Sequence, residues 1–167
     1  MANKTNAHEI VPGLWVGNSV AATDEKFIKN NNIKAVLNIT SDIDNKFRHL
    51  KNIEYARISV EDSLKRKDYN IMTETLPFAV EFIHKNLDLE KKNVLVHCWQ
   101  GMQRSCAAVT GYLIKYHTDK APSISKAINL IVKKRPVAFH RASNVNFISS
   151  LKKYHHKIQQ KSNNSNK

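Results

Sequence analysis

The chain has 167 residues, 41% of them hydrophobic, which suits one globular domain built on a single core. No apolar stretch reaches the roughly 20 residues that cross a bilayer, the opening Met-Ala-Asn-Lys-Thr-Asn lacks the apolar segment of a signal peptide, and two cysteines imply no disulfide framework. A net charge of +13 attracts anions such as phosphoproteins, anionic lipid headgroups or nucleic acid.

In chain order, residues 1–8 read as a flexible leader, followed by a strand pair near Glu9–Val11 and Leu14–Gly17. Ala22 to Asn31 has a helical pattern, with Asp24 near its start. Strands near Ala35–Asn38 and Tyr55–Ser59 flank a polar loop, Ser41 to Lys51. Leu76, Phe78, Ala79, Phe82 and Ile83 recur at helical spacing and predict a helix from Ile71 to Asn86. A strand at Val94–Val96 leads into nine informative residues, His97-Cys98-Trp99-Gln100-Gly101-Met102-Gln103-Arg104-Ser105. The helix after them, to about Tyr116, is apolar nearly all round through Ala107, Val109, Leu113 and Ile114, as in a buried core helix. Ser123 is placed to cap a helix over Ser125–Lys134, and a last helix is predicted from Asn144 to His156. Residues 158–167 read as a disordered basic tail. The tail lysines at 152, 153, 157, 161 and 167 read as a solvated helical face, and the remaining excess charge sits in Lys133-Lys134-Arg135 with Arg141. Alternating strands and helices argue an α/β fold, a mainly parallel twisted sheet with helices on both faces.

The nine residues form a loop between a strand end and a helix start. Unpaired N–H groups and the positive end of the helix dipole attract an anion there. Cys98 opens the loop and Arg104 closes it, a nucleophile and a planar two-pronged oxyanion clamp. A thiol attacks phosphorus as its thiolate, a form that a helix N-terminus and a nearby cation favour. The five residues between them suffice to wrap one tetrahedral anion with inward N–H groups, and Gly101 supplies a backbone approach that a side chain would block. Ser105 is placed to hydrogen-bond the sulfur. Cys106 reads as a packing residue, with a protective disulfide to Cys98 as the alternative.

The loop matches the His-Cys-x-x-Gly-x-x-Arg-Ser signature and resembles that of cysteine-dependent protein phosphatases, specifically the dual-specificity, VH1-like branch. Ile10-Val11-Pro12-Gly13-Leu14-Trp15-Val16-Gly17-Asn18 is similar to the branch's opening strand and turn, and Ile33 to Thr40 to its next core strand. The likeness extends from about Ile10 to about Tyr154 and implies a phosphatase domain over residues 9–157. It implies Cys98 as nucleophile, Arg104 as phosphate clamp and Asp62, in Ser59-Val60-Glu61-Asp62-Ser63, as general acid and base. Glu61 and Asp68 are the neighbouring carboxylates that the residues alone do not separate from Asp62. His97 would orient and tune Cys98, and Trp99, Gln100, Gly101, Met102, Gln103 and Arg104 would bind substrate. Asn144 would brace the loop, although Ser143 stands where the family usually has proline.

The resemblance implies phosphorylated proteins as substrates, no metal or other cofactor, and a reducing compartment, cytosol or nucleus. An RNA 5′-phosphatase is the alternative, since it uses the same loop and the basic charge suits RNA. Cys106 after Arg-Ser, where RNA- and lipid-directed relatives commonly carry glycine, and a loop without lysines weaken the RNA and phosphoinositide readings. A phosphate-recognising module without catalysis would usually lack the cysteine, arginine or acid that this chain retains. The scattered histidines lack metal-ligand spacing. The compact lysine- and asparagine-rich chain also resembles phosphatases of large DNA viruses such as insect baculoviruses.

Overall fold

The computed structural model describes residues 5–63, 65–140 and 147–165. Its strands are β1 (Ala7–Val11), β2 (Leu14–Gly17), β3 (Ile33–Asn38), β4 (Glu54–Arg57) and β5 (Asn93–His97). They lie side by side in the order β1-β2-β5-β3-β4. Only β1 and β2 are antiparallel; β2–β5, β5–β3 and β3–β4 are parallel. The helices are α1 (Ser19–Thr23), α2 (Glu25–Asn30), α3 (Arg66–His84), α4 (Arg104–Tyr116), α5 (Ile124–Lys134) and α6 (Ile148–Ser165), with a π turn at Lys85–Leu89 after α3.

Strand alternation divides the core between the two faces of the sheet. Ala35, Leu37, Val94 and Val96 face α3 to α6, packing with Met72, Leu76, Val109, Leu113 and Leu151. Val36 and Leu95 face the other way, against Ala22, Ile28, Phe47 and Ile53. The predicted α/β architecture is the observed one. Central β5 ends with His97 beside Gly17 of β2 and Asn38 of β3, so the loop that follows opens between two strand ends. Open α/β sheets bind ligands at this end of their strands.

Several boundaries differ from expectation, each for a local reason. The helix predicted over Ala22–Asn31 is two short helices, because Asp24 caps the second: its Oδ1 accepts from the N–H groups of Lys26 and Phe27 at 2.9 and 3.2 Å. α3 starts at Arg66, five residues before the predicted start at Ile71, with Asp68 in its first turn. Ala7 and His8, predicted as leader, belong to β1, paired with Gly17 and Val16. The segment predicted as a disordered tail is helical from residue 158 to Ser165, and Ile158 packs against the main core. Ser123 caps α5 as expected, accepting from the Lys126 N–H at 3.2 Å. Asn144, Ser143 and Arg141 lie outside the described residues. Among the described residues no helix is long and apolar enough to cross a membrane.

Candidate active site

Cys98 follows the last residue of β5, and its side chain is buried at the floor of the loop. Its Sγ lies 3.3 Å from the Oγ of Ser105, in the first turn of α4. Between them Gly101 takes a left-handed backbone, with φ +64°. A Cβ there would meet the Gly17 carbonyl oxygen at 2.5 Å and Arg135 Nη2 at 2.6 Å, so the position demands glycine.

The carbonyls of Trp99 to Met102 are each held from outside the loop. Trp99 O accepts from Ser19 N at 3.0 Å and Met102 O from Phe139 N at 2.8 Å. Gln100 O accepts from Arg135 Nη2 at 3.1 Å, and Gly101 O from Arg135 Nε at 2.6 Å. In a planar trans peptide the N–H points opposite the preceding carbonyl. The N–H groups of Gln100, Gly101, Met102 and Gln103 are thereby aimed into the loop, an arrangement that cradles an anion.

Arg104 is buried, and its Nη2 reaches Asp62 Oδ2 at 2.8 Å while Nη1 donates to Val60 O at 2.8 Å. Its Nε, also buried, has no partner among the described residues and remains a donor for an incoming oxyanion. Sequence expectation left Glu61, Asp62 and Asp68 side by side; their surroundings now differ. Asp62 and Glu61 are both exposed, but Asp62 pairs with the buried Arg104; Asp68 is buried, accepting from Glu61 N at 3.3 Å and from the Ser63 hydroxyl. Partial desolvation of the Asp62 carboxyl pushes it above its ordinary value of 3.8 despite the opposing pull of Arg104. Burial likewise pushes His97 down to about 4, so its ring is neutral at neutral pH. Its Nδ1 has no partner among the described residues.

Trp99 is half exposed at the rim, its indole fixed by a 2.9 Å bond from Nε1 to Asp42 Oδ2. Gln100 is exposed, Met102 half-buried and Gln103 buried. Cys106 is a free, fully buried thiol directed at Gly101 O at 3.5 Å, and burial raises its pKa strongly.

The profile of the dual specificity phosphatase catalytic domain matches residues 14–157. The chain belongs to the dual specificity phosphatase family. It is 33% identical over 129 residues to Drosophila melanogaster dual specificity protein phosphatase Mpk3, covering 77% of this chain and 29% of that protein. Human dual specificity protein phosphatase 21 is 31% identical, covering 66% of this chain and 54% of its own length. Arabidopsis thaliana dual specificity protein phosphatase 1B is 30% identical over 151 residues, 90% of this chain and 83% of that protein. The chain thus spans about half or less of the first two relatives and most of the third. The crystal structure of human DUSP28 shares the fold, with a TM-score of 0.76 at 21% identity, covering 93% of this chain and 96% of that one.

In this dual specificity phosphatase family member, Arg135 is the site residue that sequence reading missed. It ends the basic run Lys133-Lys134-Arg135, which the sequence presents only as excess charge, yet it is 1% exposed and clamps two loop carbonyls.

Proposed function

We propose that the chain is a dual-specificity protein phosphatase, hydrolysing phosphotyrosine and phosphoserine or phosphothreonine through a phosphocysteine intermediate. One observation carries this reading: a buried thiol beneath a loop whose carbonyls are held outward, facing an arginine paired with a carboxylate.

The N–H cradle and Arg104 bind the phosphoryl oxygens, with Nε available and Nη2 exchanging Asp62 for substrate. The Cys98 thiolate attacks phosphorus, the ester P–O bond breaks, and protonated Asp62 gives its proton to the leaving oxygen. Asp62, now a carboxylate, takes a proton from water as that oxygen attacks phosphorus. The S–P bond breaks, Ser105 hydrogen-bonds the departing sulfur, and inorganic phosphate leaves. Neutral His97 orients the loop and transfers no proton. Because the thiolate requires a reducing environment, the cytosol or nucleus is the compartment proposed.

Purified protein should release phosphate from phosphotyrosine and phosphothreonine peptides in the presence of a chelator, and Cys98→Ser should abolish release. Release from triphosphorylated RNA should be slower; the reverse order would make RNA the substrate.

A further inference from the structure

The segment that carries Asp62 is irregular, yet it is gripped residue by residue. From α4, Arg104 donates to Val60 O at 2.8 Å and pairs with Asp62 Oδ2 at 2.8 Å. From α3, Asp68 accepts from Glu61 N at 3.3 Å with one carboxylate oxygen and from the Ser63 hydroxyl with the other. Val60 to Ser63 are thus held in turn by a buried cation and a buried anion, 3% and 4% exposed.

Asp68 stands in the first turn of α3, and a helix start favours a carboxylate. A carboxylate serving its own helix would accept from the N–H groups of that turn or of the cap residue. Asp68 instead turns both oxygens upstream, five and seven residues back, to the two neighbours of the acid. The Ser63 hydroxyl in turn accepts from Lys65 N at 3.1 Å, and Asp68 N donates to Lys65 O at 3.1 Å. Helix start and acid loop therefore form one bonded unit. Burying a carboxylate is costly without partners, and the side-chain partners of this one belong to the acid loop.

Charge acts alongside geometry. Desolvation raises the Asp62 carboxyl, Arg104 of α4 pulls it back, and Asp68 of α3 adds a further upward push. The neighbouring charged residues Glu61, Lys65, Arg66 and Lys67 are exposed.

We propose that Asp68 is a positioning residue for the general acid, gripping the residues on either side of Asp62 so that its carboxyl stands at Arg104. This rests on Asp62 being the acid, and the experiment separates the two.

Steady-state kinetics across pH on two aryl phosphates test it. The leaving group of 4-nitrophenyl phosphate departs with little help from a proton, whereas that of phenyl phosphate needs one. Asp68→Asn removes the charge and one of the two acceptors. It should lower kcat/KM on phenyl phosphate at least about fivefold, less than the roughly 10²–10⁴-fold of losing the acid. The loss on 4-nitrophenyl phosphate should be smaller by a factor of about three or more. With the upward push gone, the descending limb of kcat/KM should move to lower pH, so the loss deepens as pH rises.

Ser63→Ala keeps the buried charge and removes one hold. It should lower kcat/KM on phenyl phosphate about two- to fourfold, again more than on 4-nitrophenyl phosphate, and leave the limb where wild type has it. Equal losses on both substrates, or a limb that stays or moves up in Asp68→Asn, would make Asp68 a structural residue and overturn the proposal. Thermal melting shows whether Asp68→Asn folds; if it does not, Ser63→Ala decides, and an equal loss or no loss on the two phosphates overturns the proposal. If Asp62→Asn itself shows neither the lost limb nor the leaving-group pattern, the acid assignment falls and this proposal with it. If Asp62→Asn shows both while Asp68→Asn matches wild type, the role of Asp68 alone falls.

Discussion

Asp62 stands between two opposed influences, partial desolvation that favours the neutral acid and Arg104 that favours the carboxylate, and desolvation prevails. A general acid works protonated, so activity falls as pH rises through its pKa. A raised pKa moves that descending limb of kcat/KM to higher pH than an ordinary aspartate would give. Asp62→Asn should lower kcat by about 10²–10⁴-fold and remove that limb. If Glu61→Gln has these effects instead, the acid is Glu61. His97 gives a second pH signature. Below pH 6.5 the unfolded histidine takes up a proton that the folded one refuses until about 4, so stability drops as pH falls through that window. The full loss is about 3 kcal/mol, and urea unfolding of wild type and His97→Gln at both ends should show it only in wild type. Cys98, Arg104 and Ser105 were legible because the chain places them within eight consecutive positions. Asp62 was legible only through family resemblance, since its partner Arg104 is distant in sequence.

At the level of elements, the catalytic loop is shaped from behind by Arg135 and by the glycine that makes room for it. Gly101→Ala should cost at least about 1–2 kcal/mol from the left-handed backbone alone, read by thermal melting. The clash with Gly17 O and Arg135 should add to that and depress turnover. Arg135→Lys keeps the charge but loses the fork that holds two carbonyls at once. It should weaken inhibition by inorganic phosphate and lower kcat/KM, with Cys98 and Asp62 untouched; unchanged phosphate inhibition would make Arg135 a packing residue only. No sequence pattern announces such a clamp, because the groups it holds are main-chain carbonyls, alike at every position. The same blindness explains α1 and α2. Periodicity ran one helix through Asp24, whereas its carboxylate prefers two N–H groups ahead of it.

For the molecule as a whole, a mainly parallel sheet covered on both faces followed from the alternation of strands and helices, which many residues encode together; the order of the strands did not. The helical end of the chain was missed because its polar composition hides the one residue, Ile158, that docks it. With a net charge of +13, turnover of an acidic phosphopeptide should decline as salt rises, while that of a small aryl phosphate changes little. A steady-state comparison across ionic strength measures the difference. Two contacts reach across the fold to its margin: Arg135 Nη1 meets His8 Nδ1, on the edge strand β1, at 2.9 Å, and Thr5 O, just before that strand, at 3.4 Å. The guanidinium that shapes the chemistry is therefore also the hinge pin of the sheet's border. Prising that border loose, with a clasping antibody or a grafted module, would be felt at the sulfur without anything having entered the cleft.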